Sequence, residues 1–223
     1  MSESLLLPAA EDLSDSIVIV GGGGHACAVI DVLQGLGTWD ILGLLDPALP
    51  MRSERYGVTV LGGDDLLDLL VERRCNIAIG IGQTRTNSPR HGVFERLDAM
   101  GARLPAIISR RAYVSARATL GPAVQILHGA IVNADASIGA NSIVNSRALV
   151  EHEACIGRGC HIATGAIING RASIGDRCFV GSGAIVLQTV DLTNDVIVGA
   201  GAVVTSPLTT PGTYVGIPAR PTK

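Results

Sequence analysis

Aromatic residues make up only 3% of this 223-residue sequence, although 47% of it is hydrophobic. A core with so few rings has to be filled by aliphatic side chains stacked on one another. The formal net charge is −3 and Lys and Arg form no cluster, which argues against nucleic acid as a partner. No apolar run approaches the roughly 18 residues that a membrane-spanning helix needs. A soluble chain with an aliphatic core is predicted.

Signals for secretion and for disulfides are also missing. Residues 1–16 are acidic and lack the basic stretch and apolar segment of a signal peptide, so we expect a loosely attached leader. The cysteines number five, an odd count, and fall in no metal or redox motif. Buried free thiols in a reducing cytosol fit this pattern, and a cytoplasmic location is predicted.

The second half of the chain contains one strict repeat. Every sixth residue from Val114 to Val204 is Val, Ile or Leu, and the residue four places later is usually small. A period of six fits neither a helix nor a flat strand and indicates a solenoid. Each unit makes a short strand with the branched residue inward, and three units close a triangular turn, giving about five turns. Tight corners with positive φ are predicted where Gly and Asn recur, at Gly139, Asn141, Gly157, Gly159, Gly175, Gly181, Gly183, Gly199 and Gly201.

The first half alternates short apolar runs with helical patterns. Strands are predicted at residues 17–20, 41–45, 58–61 (a minor edge strand), 77–80 and 104–107, and helices at 26–34, 64–73 and 88–100. This alternation predicts a small parallel α/β domain. The predicted organisation is a leader (1–16), the α/β domain (17–108), a solenoid (109–206) and a tail (207–223) that lies back along the last turn.

A glycine-rich turn joins the first predicted strand to the first helix. The pattern Gly21-x-Gly23-x-x-Ala26 lets backbone N–H groups and a helix N-terminus approach a phosphate. Asp46, at the end of the next strand, is placed to accept hydrogen bonds from ribose hydroxyls. The domain lacks a second mononucleotide half, so a nucleotide phosphate is favoured over a redox dinucleotide. A tight turn without a ligand is the alternative.

Charged chemistry interrupts the bland exterior of the repeat at Glu151-His152-Glu153. His152 lies two residues after the inward Val150, so we expect it outside the core. A carboxylate partner would fix its tautomer and raise its basicity, as a general base requires. None of the cysteines has the surroundings of an activated nucleophile. A solvated surface histidine is the alternative interpretation.

Together these motifs resemble the bacterial nucleotide-sugar acetyltransferases of the PglD/NeuD type, in the hexapeptide-repeat family. The matching stretches are Ile19–Val29, Gly43–Asp46, Ala78–Arg85 and essentially all of 112–220. The third stretch departs from the family, because Ile81-Gly82 stand where an acidic or Asn pair is usual, which leaves the base of the nucleotide open. The resemblance implies a small Rossmann-like α/β N-terminal domain followed by an all-β left-handed parallel β-helix. It also implies a homotrimer with active sites at the subunit seams.

The resemblance assigns roles to individual residues. It places the catalytic base on His152, with Glu153 or Glu151 orienting it. The implied acetyl-CoA contacts are His161, Gly170, Ser182, Ala200 and, at a CoA phosphate, Arg220. The implied contacts to the nucleotide-linked sugar are Gly22, Gly23, Gly24, His25, Asp46 and Arg85.

The implied reaction transfers the acetyl group of acetyl-CoA to the 4-amino group of a UDP- or GDP-linked 4-amino-4,6-dideoxy sugar for bacterial glycan biosynthesis. An imidazole, with an ordinary pKa near 6.5, can take the proton that the ammonium must lose before it attacks the thioester. O-acetylation of a sialic acid-type sugar and a non-catalytic nucleotide-sugar-binding trimer are the alternatives. No metal is expected, since a three-histidine zinc site cannot be assembled from His152 and His161.

Overall fold

The computed structural model describes residues 7–8, 11–84 and 89–222. They form two compact units: one ends at Gly82 and resumes at Gly92–Pro105, and the other joins the segment Gln83–His91 to the chain from Ala106 onward. Arg85, a predicted substrate contact, and half of the predicted leader lie outside the described residues. Within the described part of the chain, no helix combines the length and the apolar character needed to span a bilayer.

A five-stranded sheet forms the centre of the first unit. Its strands are β1 (Ser16–Val20), β2 (Asp40–Leu45), β3 (Glu54–Arg55), β4 (Val58–Gly62) and β5 (Asn76–Ile79), in the order β3-β4-β2-β1-β5. The helices are α1 (Gly24–Leu36), α2 (Leu67–Glu72), which follows a 3₁₀ turn at Asp64–Leu66, and α3 (Pro89–Ala99). All strand pairs are parallel except β3 with β4. The fully apolar β1 is buried on both faces, as a central parallel strand should be.

Two sequence predictions for this region were wrong. Residues 58–61 are not an edge strand, because the short β3, which the sequence did not predict, pairs with β4 and takes the edge. The strand predicted at 104–107 does not join this sheet. Instead β6 (Ile107–Ile108) pairs with the second unit, because Ile108 lies six residues before Val114 and so belongs to the repeat.

The second unit is a left-handed parallel β-helix of very short strands. After β6 these are β7 (Tyr113–Val114), β8 (Thr119–Leu120), β9 (Gln125–Ile126), β10 (Ile131–Val132), β11 (Ser137–Ile138), β12 (Ile143–Val144), β13 (Leu149–Val150), β14 (Cys155–Ile156), β15 (His161–Ile162), β16 (Ile167–Ile168), β17 (Ser173–Ile174), β18 (Phe179–Val180), β19 (Ile185–Val186), β20 (Asp191–Leu192), β21 (Val196–Val198), β22 (Val203–Val204), β23 (Gly212–Val215) and β24 (Arg220–Pro221). Each strand in the regular part pairs with the strand one turn later, as Val132 does with Val150.

Three sheets form the faces of the helix, and their outward residues differ in character. The apolar face, built from β7, β10, β13, β16, β19 and β22, presents Tyr113, Ile131, Leu149, Ile167, Ile185 and Val203. The polar face, built from β8, β11, β14, β17 and β20, presents Thr119, Ser137, Cys155, Ser173 and Asp191. The covered face contains the remaining strands, and its outward Gln125, Ile143 and His161 are buried.

The inward residues of the repeat form one aliphatic core. From Ile126 to Val204 every predicted inward residue is buried, whereas Val114 and Leu120, at the first turn, are only partly covered. Stacking identical positions on successive turns removes each aliphatic side chain from water without any ring to fill the centre. The predicted core is therefore confirmed.

The corners use glycine in two different ways. Every sixth residue from Ala123 to Gly201 has positive φ, including Asn141, Gly159, Gly183 and several residues that are neither Gly nor Asn. The predicted corner residues Gly139, Gly157, Gly175, Gly181 and Gly199 do not have positive φ. These glycines instead allow the backbones of successive turns to approach each other closely. A Cβ on Gly139, for example, would lie 2.5 Å from the carbonyl carbon of Gly157 on the next turn.

The C-terminal tail lies along the last turn, as predicted, and it does so by adding two strands. β23 pairs in parallel with β21, and β24 turns back antiparallel to β23. Tyr214 is buried there, and its hydroxyl donates to the Thr210 carbonyl at 2.8 Å. The tail therefore extends the sheet of the covered face.

The predicted free thiols are present, but not all of them are buried. Cys75, Cys160 and Cys178 are buried, whereas Cys27 and Cys155 are exposed. Cys160 and Cys178 occupy the small-residue position of the repeat and face the core, as expected. Cys155 is the outward residue of its strand on the polar face, which explains its exposure.

Candidate functional site

A cleft of about 470 Å³ lies along the corner between the apolar and polar faces. Its walls come from three successive turns, in the loops that follow β13, β16 and β19. The lining residues are Glu151, His152, Asn169, Gly170, Arg171, Gln188 and Thr189. The cleft therefore brings polar side chains from three turns together beside the only histidine among its lining residues.

His152 is oriented by the carboxylate that follows it. Its Nδ1 lies 3.1 Å from Glu153 Oε2, and 58% of its side chain is exposed. Hydrogen bonds from His152 and then Arg171 lower the pKa of Glu153, so the carboxylate is ionised at neutral pH. An ionised carboxylate can only accept, so Nδ1 carries the proton and Nε2 has the free lone pair. This is the arrangement of a histidine prepared to accept a proton.

Glu151 has a different task from Glu153. Its Oε2 accepts from Asn133 Nδ2 at 3.0 Å and from the His152 backbone N–H at 3.2 Å. Glu151 therefore fixes the main chain at His152, whereas Glu153 contacts the ring. The sequence had left the choice between the two carboxylates open.

Gly170 leaves the space that the imidazole of His152 occupies. A Cβ at Gly170 would lie 2.7 Å from Nε2 and 2.8 Å from Cε1 of His152. At the same corner, the other turns carry Ala116, Ala134, His152 and Gln188, so the backbone there tolerates a side chain. The requirement for glycine therefore comes from His152.

His161, a predicted acetyl-CoA contact, is buried on the covered face. Its Nδ1 donates to the Gln83 carbonyl at 2.6 Å, Asn145 Nδ2 donates to its Nε2 at 2.9 Å, and Phe179 packs against its edge. Burial is the main cause that lowers its pKa to about 4. Both ring nitrogens are thus engaged within the chain, and contact with acetyl-CoA stays a prediction.

Because His161 is buried, we expect the free energy of unfolding of the protein to fall in acid. The unfolded imidazole binds a proton near pH 6.5 and the folded one only near pH 4, so its contribution is complete above pH 6.5 and is lost as the pH falls towards 4. Between pH 7.5 and 5 the wild type should lose about 2 kcal/mol more unfolding free energy than His161→Gln. Denaturant unfolding of both proteins at the two pH values measures the difference. Equal losses would contradict the buried neutral state.

The other predicted acetyl-CoA contacts do not share one corner. Ser182 and Ala200 stack on successive turns at the corner between the covered and apolar faces. Gly170 lies at the opposite edge of the apolar face, because twelve residues from Gly170 to Ser182 are two-thirds of a turn. Arg220, in β24, is exposed. Within one chain, the implied acetyl-CoA contacts are therefore distributed over both edges of the apolar face and the covered face.

The first unit contains its own cleft, of about 380 Å³, at the carboxyl ends of β1, β2 and β5. The chain runs from β1 to β2 and β4 on one side of β1 and then crosses back to place β5 on its other side. The carboxyl ends of β1 and β5 therefore form the topological switch point where doubly wound sheets bind ligands. The lining residues are Val20, Gly21, Gly23, Gly24, His25, Leu45, Asp46, Pro47, Asp64, Gly80, Ile81, Gly82 and Val93.

The glycine loop in this cleft is held by Asp46. Asp46 Oδ2 accepts from the Gly22 N–H at 2.8 Å, and its Oδ1 accepts from the Ala48 N–H at 2.9 Å. A Cβ on Gly22 would lie 2.6 Å from Leu49, whereas nothing lies within 4 Å of a Cβ on Gly23 or Gly24. The loop is therefore packed at Gly22 and open at the N-terminus of α1, where an anion would bind.

Two family models match the sequence. The model of the PglD N-terminal domain matches residues 16–97, and a hexapeptide repeat model of succinyl-transferase matches residues 171–206. The search among curated proteins finds no match. The first match covers the glycine-loop cleft, and the second includes Arg171, Gln188 and Thr189 of the corner cleft.

Solved structures resemble the chain over nearly its whole length. A variant of perosamine N-acetyltransferase from Caulobacter crescentus, in complex with CoA and GDP-perosamine, is 34% identical, with a TM-score of 0.86 over 93% of this chain and 97% of that one. The acetyltransferase domain of PglB from Neisseria gonorrhoeae, in complex with acetyl coenzyme A, is 30% identical, with a TM-score of 0.87 over 94% and 100%. WeeI from Acinetobacter baumannii shares the fold at 24% identity.

Proposed function

Because this chain belongs to the PglD/NeuD-like nucleotide-sugar acetyltransferases of the hexapeptide-repeat family, we propose that it acetylates the 4-amino group of a nucleotide-linked 4-amino-4,6-dideoxy sugar. Acetyl-CoA is the donor, and His152 accepts the proton that the amine loses as it attacks the thioester carbonyl. The amine nitrogen displaces the CoA thiolate through a tetrahedral intermediate, and the proton held by His152 can return to the leaving sulfur. No covalent enzyme intermediate is needed.

One observation carries this proposal: the His152–Glu153 pair in the corner cleft. The carboxylate holds Nδ1–H, so the basic Nε2 is presented beside Gly170, where no side chain blocks an incoming amine. A general base acts through a lone pair positioned within hydrogen-bond reach of the proton that it removes. A histidine that was only a solvated surface residue would not require glycine at position 170, next to its ring.

The nucleotide is assigned to the cleft of the first unit. Its open glycine loop suits the diphosphate, and its apolar walls suit a base and ribose. The perosamine enzyme that resembles this chain was solved with GDP-perosamine, which supports a nucleotide-linked amino sugar as the substrate class. Ile81 and Gly82 offer no side-chain hydrogen bond to the base, so the choice between uracil and guanine is left to other groups.

A homotrimer is part of the proposal, and the apolar face supports it. Its outward row runs the length of the helix, and Tyr113 and Ile131 are 58% and 39% exposed in the single chain. A continuous apolar row of this kind marks a protein interface. The His152 corner and the Ser182–Ala200 corner flank this face, so packing copies through it would bring donor and acceptor contacts to one seam.

The trimer proposal predicts different results for matched charge insertions on two faces. Ile131→Glu should convert trimer to monomer, because burying the new carboxylate costs about 3 kcal/mol or more per copy. Ser173→Glu adds the same charge to the polar face and should leave the assembly intact. Size-exclusion chromatography coupled to light scattering measures the oligomeric state of both variants. An Ile131→Glu protein that stays trimeric would rule this face out.

Ligand binding separates the proposal from the alternatives. Thermal shifts with UDP- and GDP-linked 4-amino sugars, each with and without CoA, should rise for one nucleotide and for CoA, since a ligand specific to the native state stabilises it by mass action. A non-catalytic trimer would respond to the sugar nucleotide but not to CoA. A sialic acid-type O-acetyltransferase would respond to a free sugar acid instead.

A further inference from the structure

We propose that Arg171 is a positioning residue that locks the Glu153 carboxylate in place, thereby fixing the catalytic tautomer of His152. This inference rests on the proposed function, since it concerns the same base. Arg171 was not singled out by any feature of the sequence. It lies one turn of the β-helix after Glu153 and directly follows Gly170 in the sequence.

Arg171 makes two hydrogen bonds to the preceding turn, which contains His152. Its Nε donates to Glu153 Oε2 at 3.1 Å, and its backbone N–H donates to the His152 carbonyl at 3.1 Å. His152 Nδ1 donates to that same Oε2. One carboxylate oxygen thus receives the imidazole and the guanidinium together, and the rotation of Glu153 away from His152 would break both bonds.

Stability does not explain this pair. The side chains of Arg171 and Glu153 are 65% and 46% exposed, and ion pairs so exposed contribute little to folding. Glu153 and Arg171 both adopt positive φ, at 59° and 58°, a backbone conformation that residues other than Gly and Asn seldom take. What distinguishes this pair is that its carboxylate also receives the His152 imidazole, so we relate the pair to the ring that it orients.

The same corner provides a matched control. One turn below Glu153 lies Asp135, and Arg117, one turn lower again, makes a two-nitrogen ion pair with Asp135. That pair also joins successive turns and is similarly exposed. No histidine contacts it among the described hydrogen bonds and ion pairs, so it has the structure of the Arg171 pair without the catalytic ring.

Arg171 also sets the charge around the base. The charged groups around His152 are Glu151, which lines the cleft, Glu153, which contacts the ring, and Arg171, which lies on the next turn. Removing the guanidinium charge favours the imidazolium, so the base stays protonated to higher pH. Loss of Arg171 should therefore change both the rate and its pH dependence.

The test measures acetyl transfer as a function of pH in Arg171→Gln, Arg171→Lys and Arg117→Gln. Arg171→Gln should lower kcat at pH 7 by roughly tenfold, with little change in KM, as loss of an orienting partner typically does. The acidic limb of its kcat/KM profile should move to higher pH. Arg171→Lys keeps the charge and should restore the limb, with kcat only partly recovered because Nε is lost. Arg117→Gln should match the wild type.

Three results would overturn the inference. Arg171→Gln could keep the wild-type kcat and limb, or lose activity only in proportion to its folded fraction, or shift the limb no further than Arg117→Gln does. The His152→Ala variant separates this from the proposed function: if that variant is inactive and Arg171→Gln is normal, only the role of Arg171 fails. If His152→Ala is fully active, the general base itself fails.

Discussion

His152→Ala is expected to reduce kcat for acetyl transfer by roughly 10²–10⁴-fold, the range that general-base catalysis supplies. The imidazole is 58% exposed and lies outside the aliphatic core, so its removal leaves no cavity. The unfolding free energy and the proposed trimer should therefore be unchanged. Initial rates of CoA release at saturating substrates measure the effect.

A second histidine of the β-helix provides the control for this experiment. His128 bonds Ser109 Oγ at 2.7 Å, away from the corner cleft, and His128→Ala should keep wild-type kcat. The loss in His152→Ala should also shrink as the pH rises and the amine loses its proton without help. Wild-type activity in His152→Ala at pH 7 would contradict the assignment of the base.

Gly170→Ala is expected to lower kcat by about 10²-fold, because displacement of a catalytic group by 1 Å can cost that much. The new methyl would lie 2.7 Å from His152 Nε2, the nitrogen that takes the proton. The ring must move or the amine must approach from further away. The backbone accepts Ala at this position in other turns, so thermal unfolding should stay within a degree or so of the wild type or rise slightly.

A double-mutant cycle shows whether the Gly170 effect acts through His152. In the His152→Ala background, Gly170→Ala should cost little further activity, because the ring that the methyl displaces is gone. Additive losses would mean that Gly170 serves another purpose, such as contact with acetyl-CoA. The cycle thus also tests the sequence-based expectation that Gly170 binds the cofactor.

The fold of the second unit could be predicted because its determinant is local and repeated. A strict six-residue period allows only inward stacking of the branched residues, and the structure buries them from Ile126 onward. The corner glycines could not be sorted, since Gly139 and Gly159 look alike in sequence. Gly139 is needed because the next turn passes close to it, whereas Gly159 is needed because its φ is positive. Only the three-dimensional structure distinguishes these two reasons.

The candidate site was predictable where its chemistry was contiguous in sequence. Glu151-His152-Glu153 stands out against bland neighbours, whereas Arg171 is 18 residues from Glu153 and meets it only because that is one full turn. That spacing was available as a signal once the period was known. The environment of His161 was not, since the Gln83 carbonyl that binds it lies 78 residues earlier.

The proposed acetylation of the amine of a nucleotide-linked sugar, with His152 as the base, can be tested on the product itself. Its most direct test incubates the wild type with acetyl-CoA and either GDP-perosamine or a UDP-linked 4-amino sugar, and identifies the product by mass spectrometry and NMR. We expect one new amide at the sugar 4-nitrogen with one nucleotide strongly preferred, and almost no product from His152→Ala. Acetylation at oxygen only, or no transfer to either amine by a protein that binds both ligands, would contradict it.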